Sequence, residues 1–294
     1  MKKILIGLCA VFAVLFSITS CNEEYTTYEG PGFISFSDSL YVLPVQNNEE
    51  VFDIPVVAAQ ARDYDRTLAV EILDKNTNAV EGKHFSIESH TVTIPAGKLT
   101  ANFRIRGNAD NITINDSLGI NLHIVTEDAG HEALQSLTAN VLLVKTCPLN
   151  MRDFTGYCVL QSPYFDAYMK GTKARLVRSE LDPENANTII LKDYFYEGYD
   201  VKLRFTTNDI LNPLIEMDEQ KFGPTSEAFG TVYGDGVIYM RQMMSYPSYY
   251  STCERFLVHY TTLFVPGVGT VDNYINIVKF ISDDEAERIM REGF

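Results

Sequence analysis

The sequence predicts a mainly β protein with two domains, an N-terminal β-sandwich and a C-terminal antiparallel β domain that ends in a short helix. Three observations lead to this fold class. Short segments alternate between apolar and polar residues with a period of two, and polar turns separate them. The chain has 294 residues, of which 46% are hydrophobic, so it can form two cores. A helix-start signal precedes the last apolar face.

The N-terminus has the features of an export signal. Lys2 and Lys3 precede an apolar run over residues 4–18, which is too short to cross a membrane comfortably and is followed by polar residues. Thr19 and Ser20 before Cys21 resemble a bacterial lipobox. That resemblance implies cleavage before Cys21 and acylation of its side chain and new amino terminus. The alternative is an ordinary signal peptide with an incidental cysteine.

The resemblance divides the start of the chain into a signal peptide, residues 1–20, and a polar tether, residues 21–31. Residues 22–24, Asn-Glu-Glu, resemble the acidic export signal of Bacteroidetes surface lipoproteins. This implies an outer-membrane protein that is held by a lipid anchor and displayed at the cell surface. Several acyl chains on one residue give stable anchoring to a membrane.

Residues 32–146 are expected to form the sandwich, with about eight strands. Residues 101–106 alternate strictly, which places Ala101, Phe103 and Ile105 on one face. The strand candidates are residues 51–57, 68–73, 101–106, 120–124 and 138–144.

Two motifs in this region resemble the Calx-beta family. Residues 80–85 read Val-Glu-Gly-Lys-His-Phe, and residues 91–97 read Thr-Val-Thr-Ile-Pro-Ala-Gly. In the family a Gly-x-Asp-Tyr/Phe segment precedes a Thr-x-Thr-Ile-Pro-Ala-Gly turn, in which proline and glycine supply the backbone conformation. The resemblance covers residues 32–146 and implies an immunoglobulin-like sandwich.

Some Calx-beta domains bind calcium through loop carboxylates, and Asp110 and Asp116 lie near those loop positions. The sequence departs from the family, because His84 replaces the usual Asp and the later Glu-x-x-Glu is absent. A tight calcium site needs six to eight oxygen ligands. Asp110 and Asp116 are therefore weak calcium candidates whose simpler interpretation is turn formation, and no other cofactor is expected.

Residues 147–294 form the predicted C-terminal domain. Gly234-Asp235-Gly236 is predicted to be a hairpin turn between residues 231–233 and 237–239. Ser282 and Glu285 have capping-box spacing and begin the final helix. Residues 154–157 resemble the first strand of uncharacterised Bacteroidetes lipoprotein domains. The strand candidates are residues 175–178, 188–191, 201–206, 237–241, 255–261 and 271–280.

Three cysteines remain for disulfide formation once the signal and the lipidated residue are set aside. They are Cys147, Cys158 and Cys253, so at most one internal disulfide forms, and the sequence leaves all three pairings open.

The sequence carries no recognisable catalytic motif. It lacks a Gly-x-Ser-x-Gly elbow, a His-Glu-x-x-His pair and a phosphate-binding loop. His259 lies in a predicted strand and is interpreted as a hydrogen-bonded sheet residue. The net charge of −15, with 24 basic against 39 acidic residues, excludes nucleic acid as an expected partner.

Tyrosines provide the candidate ligand-binding residues. Of 17 tyrosines, 13 lie at or after residue 147, and two clusters, at residues 193–199 and 243–250, are predicted to be loops that present aromatic rings. Such rings suit sugars or a protein partner, whereas the alternative is packing beneath a loop. The absence of Trp counts mildly against carbohydrate. The candidates are Tyr194, Tyr196, Tyr199, Tyr246, Tyr249 and Tyr250.

These features together predict a non-catalytic lipoprotein that acts in ligand binding or adhesion at the outer-membrane surface. Its partners would be the membrane, through the lipid anchor, and either a glycan or an envelope protein. Accessory glycan capture is the first version of this function. A scaffold that contacts another envelope protein is the second, and a hydrolase is the third.

Overall fold

A computed structural model describes residues 32–126 and 137–294. The predicted signal peptide, Cys21 and the tether lie outside the described residues. The mainly β fold class is confirmed: a two-sheet sandwich is followed by an antiparallel β domain that ends in a short helix. Within the described ranges, no helix has both the length and the apolar character needed to cross a membrane.

Nine strands make up the described part of the N-terminal domain. One sheet has the order β1-β3-β7-β5 and the other has the order β2-β9-β8-β4-β6, with β2 and β9 parallel. Every strand predicted in this region is present. The bounds are β1 Ile34–Phe36, β2 Leu40–Val45, β3 Val51–Ala58, β4 Arg66–Leu73, β5 Phe85–Ile87, β6 Thr91–Ile94, β7 Thr100–Gly107, β8 Leu118–Val125 and β9 Thr138–Lys145.

The alternation in β7 shows why these residues form a sandwich. Phe103 and Ile105 are buried in the core between the sheets, whereas Arg104 is exposed and its Nε donates to Asp53 Oδ1 across the strand pair at 3.2 Å. Ile54 and Ile120 enter the same core from β3 and β8. Each strand therefore contributes one apolar face, as the period of two requires.

Ten strands, three short α-helices and a 3-10 helix at Met151–Phe154 make up the C-terminal domain. The strands are β10 Gly156–Gln161, β11 Arg175–Leu181, β12 Thr188–Lys192, β13 Val201–Phe205, β14 Leu214–Glu216, β15 Gln220–Pro224, β16 Val237–Gln242, β17 Ser248–Ser251, β18 Phe256–Val265 and β19 Gly269–Phe280. The helices are α1 Tyr164–Tyr168, α2 Thr225–Phe229 and α3 Asp283–Glu292.

Eight of these strands form one closed antiparallel sheet. The order is β10-β11-β12-β13-β14-β17-β18-β19, and β19 returns to pair with β10. β16 and β15 extend from the second half of β18. Because the sheet is closed, residues of one parity point to a packed interior and residues of the other parity point outward.

The hairpin predicted at residues 234–236 differs in its incoming strand. β16 does begin at Val237, but its partner is β15, and α2 lies between the two strands. Residues 231–233 are not in a strand, because the Tyr233 N–H donates to the Oγ1 of buried Thr225 at 3.0 Å. Gly230, with φ 72°, ends α2 in the left-handed conformation and turns the chain there.

The final helix begins as its sequence predicts. Ser282 is the N-cap of α3, and its Oγ accepts from the Glu285 N–H at 3.2 Å. Ala286 is fully buried against the domain. The acidic side chains in the first turn of α3 also interact favourably with the positive end of the helix dipole.

One disulfide links Cys147 to Cys253, with the two Cα atoms 5.2 Å apart. This resolves the pairing that the sequence left open. Cys158 is a buried free thiol in β10, and its Sγ donates to the Val177 carbonyl at 3.5 Å. The disulfide ties the chain that leaves β9 to the turn between β17 and β18, where the Thr252 Oγ1 also donates to the Cys147 carbonyl at 2.7 Å.

Removing this disulfide is expected to destabilise the C-terminal domain substantially. The bond closes a loop with a sequence separation of 106, and the chain-entropy model gives about 5 kcal/mol for a loop of that size. We expect the double variant Cys147→Ser, Cys253→Ser to show this loss in urea unfolding of the full chain. Cys158→Ala is the matched control and should lose less. Equal midpoints for the double variant and the wild type would contradict the expectation.

Candidate ligand-binding face

The first predicted tyrosine loop faces the interior. The backbone N–H of Tyr194 donates to the Tyr199 carbonyl, which folds the β12–β13 connection over one end of the closed sheet. Tyr194 and Tyr196 are buried, and the Tyr196 hydroxyl lies 2.8 Å from that of Tyr164 in α1. Tyr199 is half-buried. The expectation that this loop presents its rings to solvent is therefore corrected.

Close packing explains why Tyr196 turns inward. A Cβ atom added at Gly223 in β15 would lie 2.2 Å from Cδ2 of Tyr196, so only glycine lets the ring fit there. Phe195 and Phe222 contact the same cluster, with ring centroids 4.5 Å apart. Tyrosine rings at this end of the sheet form the cover of the core. The hydroxyls of Tyr164 and Tyr196 pair with one another, whereas the buried hydroxyl of Tyr194 has no hydrogen-bond partner among the described residues.

Tyr250 is also buried, because its position in β17 points into the closed sheet. Its hydroxyl donates to the Thr206 carbonyl at 2.8 Å, and burial raises the pKa of the phenol. Tyr250 therefore holds the wall of the sheet together and does not present its ring to a ligand. Of the six predicted ligand residues, Tyr246 and Tyr249 are exposed.

Tyr246 lies on a stacked pair of rings at the outer surface. Its ring stacks on that of Tyr260 in β18, with centroids 5.5 Å apart and planes inclined by 27°. The loop that carries Tyr246 is attached to β18, because the Met243 N–H donates to the Tyr260 carbonyl at 3.1 Å. Tyr246 is 57% exposed, so the side of the ring that faces away from Tyr260 is open to solvent.

Neighbouring strands extend this pair into a larger surface. The register places Ile275 of β19 opposite Tyr260, and Ile277 and Tyr249 on either side of Val258. Side chains opposite one another on one sheet face lie about 5 Å apart. At one margin, the Thr262 Oγ1 donates to Asn273 Oδ1 at 2.6 Å. We call this surface the tyrosine face; it consists of Tyr246, Tyr249, Tyr260, Ile275 and Ile277.

The alternation in β19 carries a sequence signal for part of this face. In β19 the buried residues are Tyr274, Asn276, Val278 and Phe280, so the polar Asn276 points inward while Ile275 and Ile277 point outward. If Tyr274 and Val278 are taken as the inward-facing residues of the alternating strand, Asn276 between them also faces inward. The isoleucines on either side of Asn276 must then face outward as an exposed apolar pair.

The interior opposite the tyrosine face contains a buried polar group of side chains. Asn276 Nδ2 donates to the His259 carbonyl at 3.1 Å and to Thr261 Oγ1 at 3.0 Å. His259 is fully buried, as a sheet residue should be, but neither ring nitrogen has a hydrogen-bond partner among the described residues. The expected hydrogen-bonded imidazole is therefore not found, although the backbone of His259 is paired.

Burial sets the protonation states of three interior side chains, those of His259, Tyr194 and Cys158. It lowers the pKa of His259 to about 3. The Tyr194 ring lies 6.4 Å from the His259 ring between centroids, and burial holds the pKa of its phenol well above 10. Burial likewise raises the pKa of the Cys158 thiol to about 12. At neutral pH all three side chains are uncharged.

The calcium candidates are engaged within their own loops. Asp116 Oδ2 accepts from the Thr113 N–H at 2.7 Å, and this backbone hydrogen bond lowers the pKa of the carboxyl. Asp110 Oδ2 accepts from Asn48 Nδ2 at 2.6 Å. His84 Nδ1 accepts from the Val80 N–H at 3.0 Å and so supports its own turn. Within residues 32–126 and 137–294 no three metal-ligating side chains come together.

A cavity of about 470 Å³ in the C-terminal domain is lined by paired charges. The Asp182 carboxylate accepts from Asn185 Nδ2 at 2.9 Å and from Lys202 Nζ at 2.9 Å. The hydrogen bond from Asn185, followed by that from Lys202, lowers the pKa of Asp182 to about 2. This carboxyl is ionised at neutral pH and is not poised to act as a general acid.

Comparison with known proteins gives a family and several distant structures. Residues 134–292 match the family model "Domain of unknown function (DUF4984)". A protein of unknown function from Bacteroides ovatus is 12% identical, with a TM-score of 0.37, over 84% of this chain and 91% of that one. No curated protein matches the sequence.

Two further structures are similar to this chain at comparable sequence identities and TM-scores. An auxiliary nutrient binding protein from Bacteroides thetaiotaomicron is 15% identical, with a TM-score of 0.33, over 85% of this chain and 94% of that one. The apo form of the Calx CBD1 domain is 17% identical, with a TM-score of 0.31, over 39% of this chain and 96% of that one. These TM-scores are too low to support an inference about function.

The buried imidazole predicts a specific pH dependence of stability. His259 titrates near pH 3 in the folded protein and near pH 6.5 in an unfolded chain. The unfolded state therefore binds a proton first as the pH falls, and the free energy of unfolding decreases from about pH 6.5 toward pH 3, by at most about 1.4 kcal/mol per pH unit. Above about pH 6.5 this contribution is complete.

The variant His259→Leu tests whether the His259 imidazole causes this pH dependence of the free energy of unfolding. The variant removes the ionisable ring but keeps the backbone carbonyl that accepts from Asn276, so its urea-unfolding free energy should fall less steeply than that of the wild type between pH 6.5 and 4. At pH 7.5 it should be at least as stable, because an unpartnered buried polar ring is replaced by an aliphatic side chain. Parallel pH profiles for the two proteins would refute the assignment.

Proposed function

Because the chain belongs to the DUF4984 family of domains of unknown function, its family assigns no activity, and we propose from the tyrosine face that it is a non-catalytic carbohydrate-binding protein. The proposed setting is the outer-membrane surface, with acylated Cys21 as the anchor and the tether and sandwich as a spacer. The C-terminal domain carries the ligand surface.

The stacked pair of Tyr246 and Tyr260 is the observation that carries this proposal. The ring of Tyr246 is supported from beneath by Tyr260, so little side-chain freedom remains to be lost when a ligand covers it. The C–H groups on one face of a sugar ring can meet the negative face of an aromatic ring. Thr262 and Asn273 at the margin provide polar groups for hydroxyls.

The second candidate function is a scaffold that contacts another envelope protein. It is favoured by Ile275 and Ile277, which expose two aliphatic side chains beside the rings. Apolar side chains of this kind are typical of the centre of a protein interface. If this function is the correct one, Ile275→Ser with Ile277→Ser should abolish a reproducible crosslink to one envelope protein on intact cells and leave carbohydrate retention unchanged.

Loss of the Tyr246 ring, which is the exposed member of the stacked pair, should weaken carbohydrate binding. We expect Tyr246→Ala to reduce retention of the full chain in affinity gels that contain starch, xylan, laminarin or galactomannan, by about tenfold in affinity for whichever polymer retains the wild type. Tyr64→Ala is the matched control, because Tyr64 is 58% exposed against 57% for Tyr246 but lies in the other domain. Unretarded migration of the wild type on these four polymers and on the acidic polymers polygalacturonate and chondroitin sulfate would overturn the proposal.

The proposed anchor makes a separate prediction. Cys21→Ser should release the protein from the membrane fraction, because the acylated cysteine is the only covalent attachment invoked. Protease added to intact cells should degrade the wild-type protein if it is displayed at the surface. Membrane retention of the Cys21→Ser variant would contradict the lipid anchor, and complete protection from protease would contradict the display.

A further inference from the structure

A cleft of about 390 Å³ opens beside the tyrosine face. Most of its lining comes from three parts of the chain: the end of β9 with the segment that follows it, the β13–β14 connection, and β17 with the β17–β18 turn. The Cys147–Cys253 disulfide lies in its wall and joins the first of these parts to the third. A covalent bond therefore fixes two of the walls relative to one another.

The cleft has an apolar lining that is open to solvent. Leu211 and Ile210 come from the β13–β14 connection, and Tyr249 comes from β17; all three side chains are exposed. Ile114 adds an exposed aliphatic side chain from the N-terminal domain. A concave site of this size with aromatic and aliphatic walls falls within the range of small-ligand sites, which are common between domains.

Tyr249 belongs to both the cleft and the tyrosine face. It pairs with Val258 across the β17–β18 ladder, and Tyr260 is the next residue of β18 on that outer face. Diagonal neighbours on one sheet face lie about 7–8 Å apart. A ligand that leaves the ring of Tyr246 and follows the sheet therefore meets Tyr249, which also lines the cleft.

The polar groups of the cleft define the charge of its ligand. Asp209 and Glu254 supply carboxylates, and Thr207 and Ser251 supply hydroxyls. Lys145 is the cation among the lining residues, and its Nζ already donates to the Ala109 carbonyl at 2.6 Å. Such a lining accepts hydrogen bonds from hydroxyl groups and repels carboxylate or sulfate groups.

We propose that the cleft and the Tyr246–Tyr260 pair are two subsites of one extended site, and that its ligand is a neutral oligosaccharide of several sugar units. This inference rests on the proposed carbohydrate-binding function. The stacked rings hold one sugar unit, Tyr249 bridges the subsites, and the cleft holds a further unit through its apolar wall and the acceptors at Asp209 and Glu254.

The experiment compares short and long ligands on subsite variants of the full chain. The probes are the disaccharide and the hexasaccharide of the neutral polymer that retains the wild type, with calorimetry as the measurement. Leu211→Arg places a long charged side chain in the cleft at an exposed position. Val232→Arg is the matched control, because Val232 is an exposed aliphatic residue that does not line the cleft.

The expected result is a difference that depends on ligand length. Leu211→Arg should lower the affinity for the hexasaccharide about tenfold, which brings it closer to the affinity for the disaccharide. The affinity of this variant for the disaccharide should stay the same as that of the wild type. Tyr246→Ala should weaken the binding of both oligosaccharides, and Val232→Arg should leave the binding of both unchanged.

Three results would overturn the extended site while leaving the proposed function intact. One is an unchanged hexasaccharide affinity in Leu211→Arg. Another is equal wild-type affinity for the disaccharide and the hexasaccharide. The third is tighter retention of the wild type by polygalacturonate or chondroitin sulfate than by the neutral polymers. Failure of the proposed function itself would instead appear as no wild-type retention on any polymer.

Discussion

The pairing of β18 with β19, and of β19 with β10, is the constraint on which the C-terminal domain depends. It converts an open ladder into a closed sheet, and closure assigns every side chain of those strands to the inside or to the outside. His259 and Asn276, directly opposite one another, must therefore both point inward, while Tyr260 and Ile275 must both point outward. The candidate ligand surface and the buried polar group are thus two consequences of one register.

Many aromatic rings pack in the core of the C-terminal domain, and this decides which tyrosines can act at the surface. Tyr164 meets Phe195 and Phe222 edge-on, with centroid distances of 5.2 and 4.8 Å. A domain that closes one end with rings needs several of them for packing alone. Five of the 13 tyrosines after residue 147 are buried, so part of this concentration of tyrosine is a property of the core. A tyrosine becomes a candidate for recognition only where, as at Tyr246, the ring lies outside that core.

Much of the fold could be predicted from the sequence because period-two alternation reports local burial directly. Residues 101–106 and the capping signal at Ser282 illustrate this. Pairings between distant strands were beyond the sequence, since alternation does not say which strand lies beside which; β15 as the partner of β16 and the closure by β19 are examples. The same limit applied to the site: Tyr246 and Tyr194 occur in similar tyrosine-rich segments, and only the tertiary packing separates the exposed ring from the buried one.

The Cys147–Cys253 disulfide also determines how a mechanical load would travel through the protein. If the chain is anchored at its N-terminus and holds a polymer on β17 and β18, tension enters the C-terminal domain at Cys147. The covalent bond carries it directly to Cys253, in the turn between those two strands. Strands β10 to β16 lie between the two cysteines in sequence and are bypassed by the force. The domain can therefore resist pulling on its ligand without relying on the hydrogen bonds of most of its sheet.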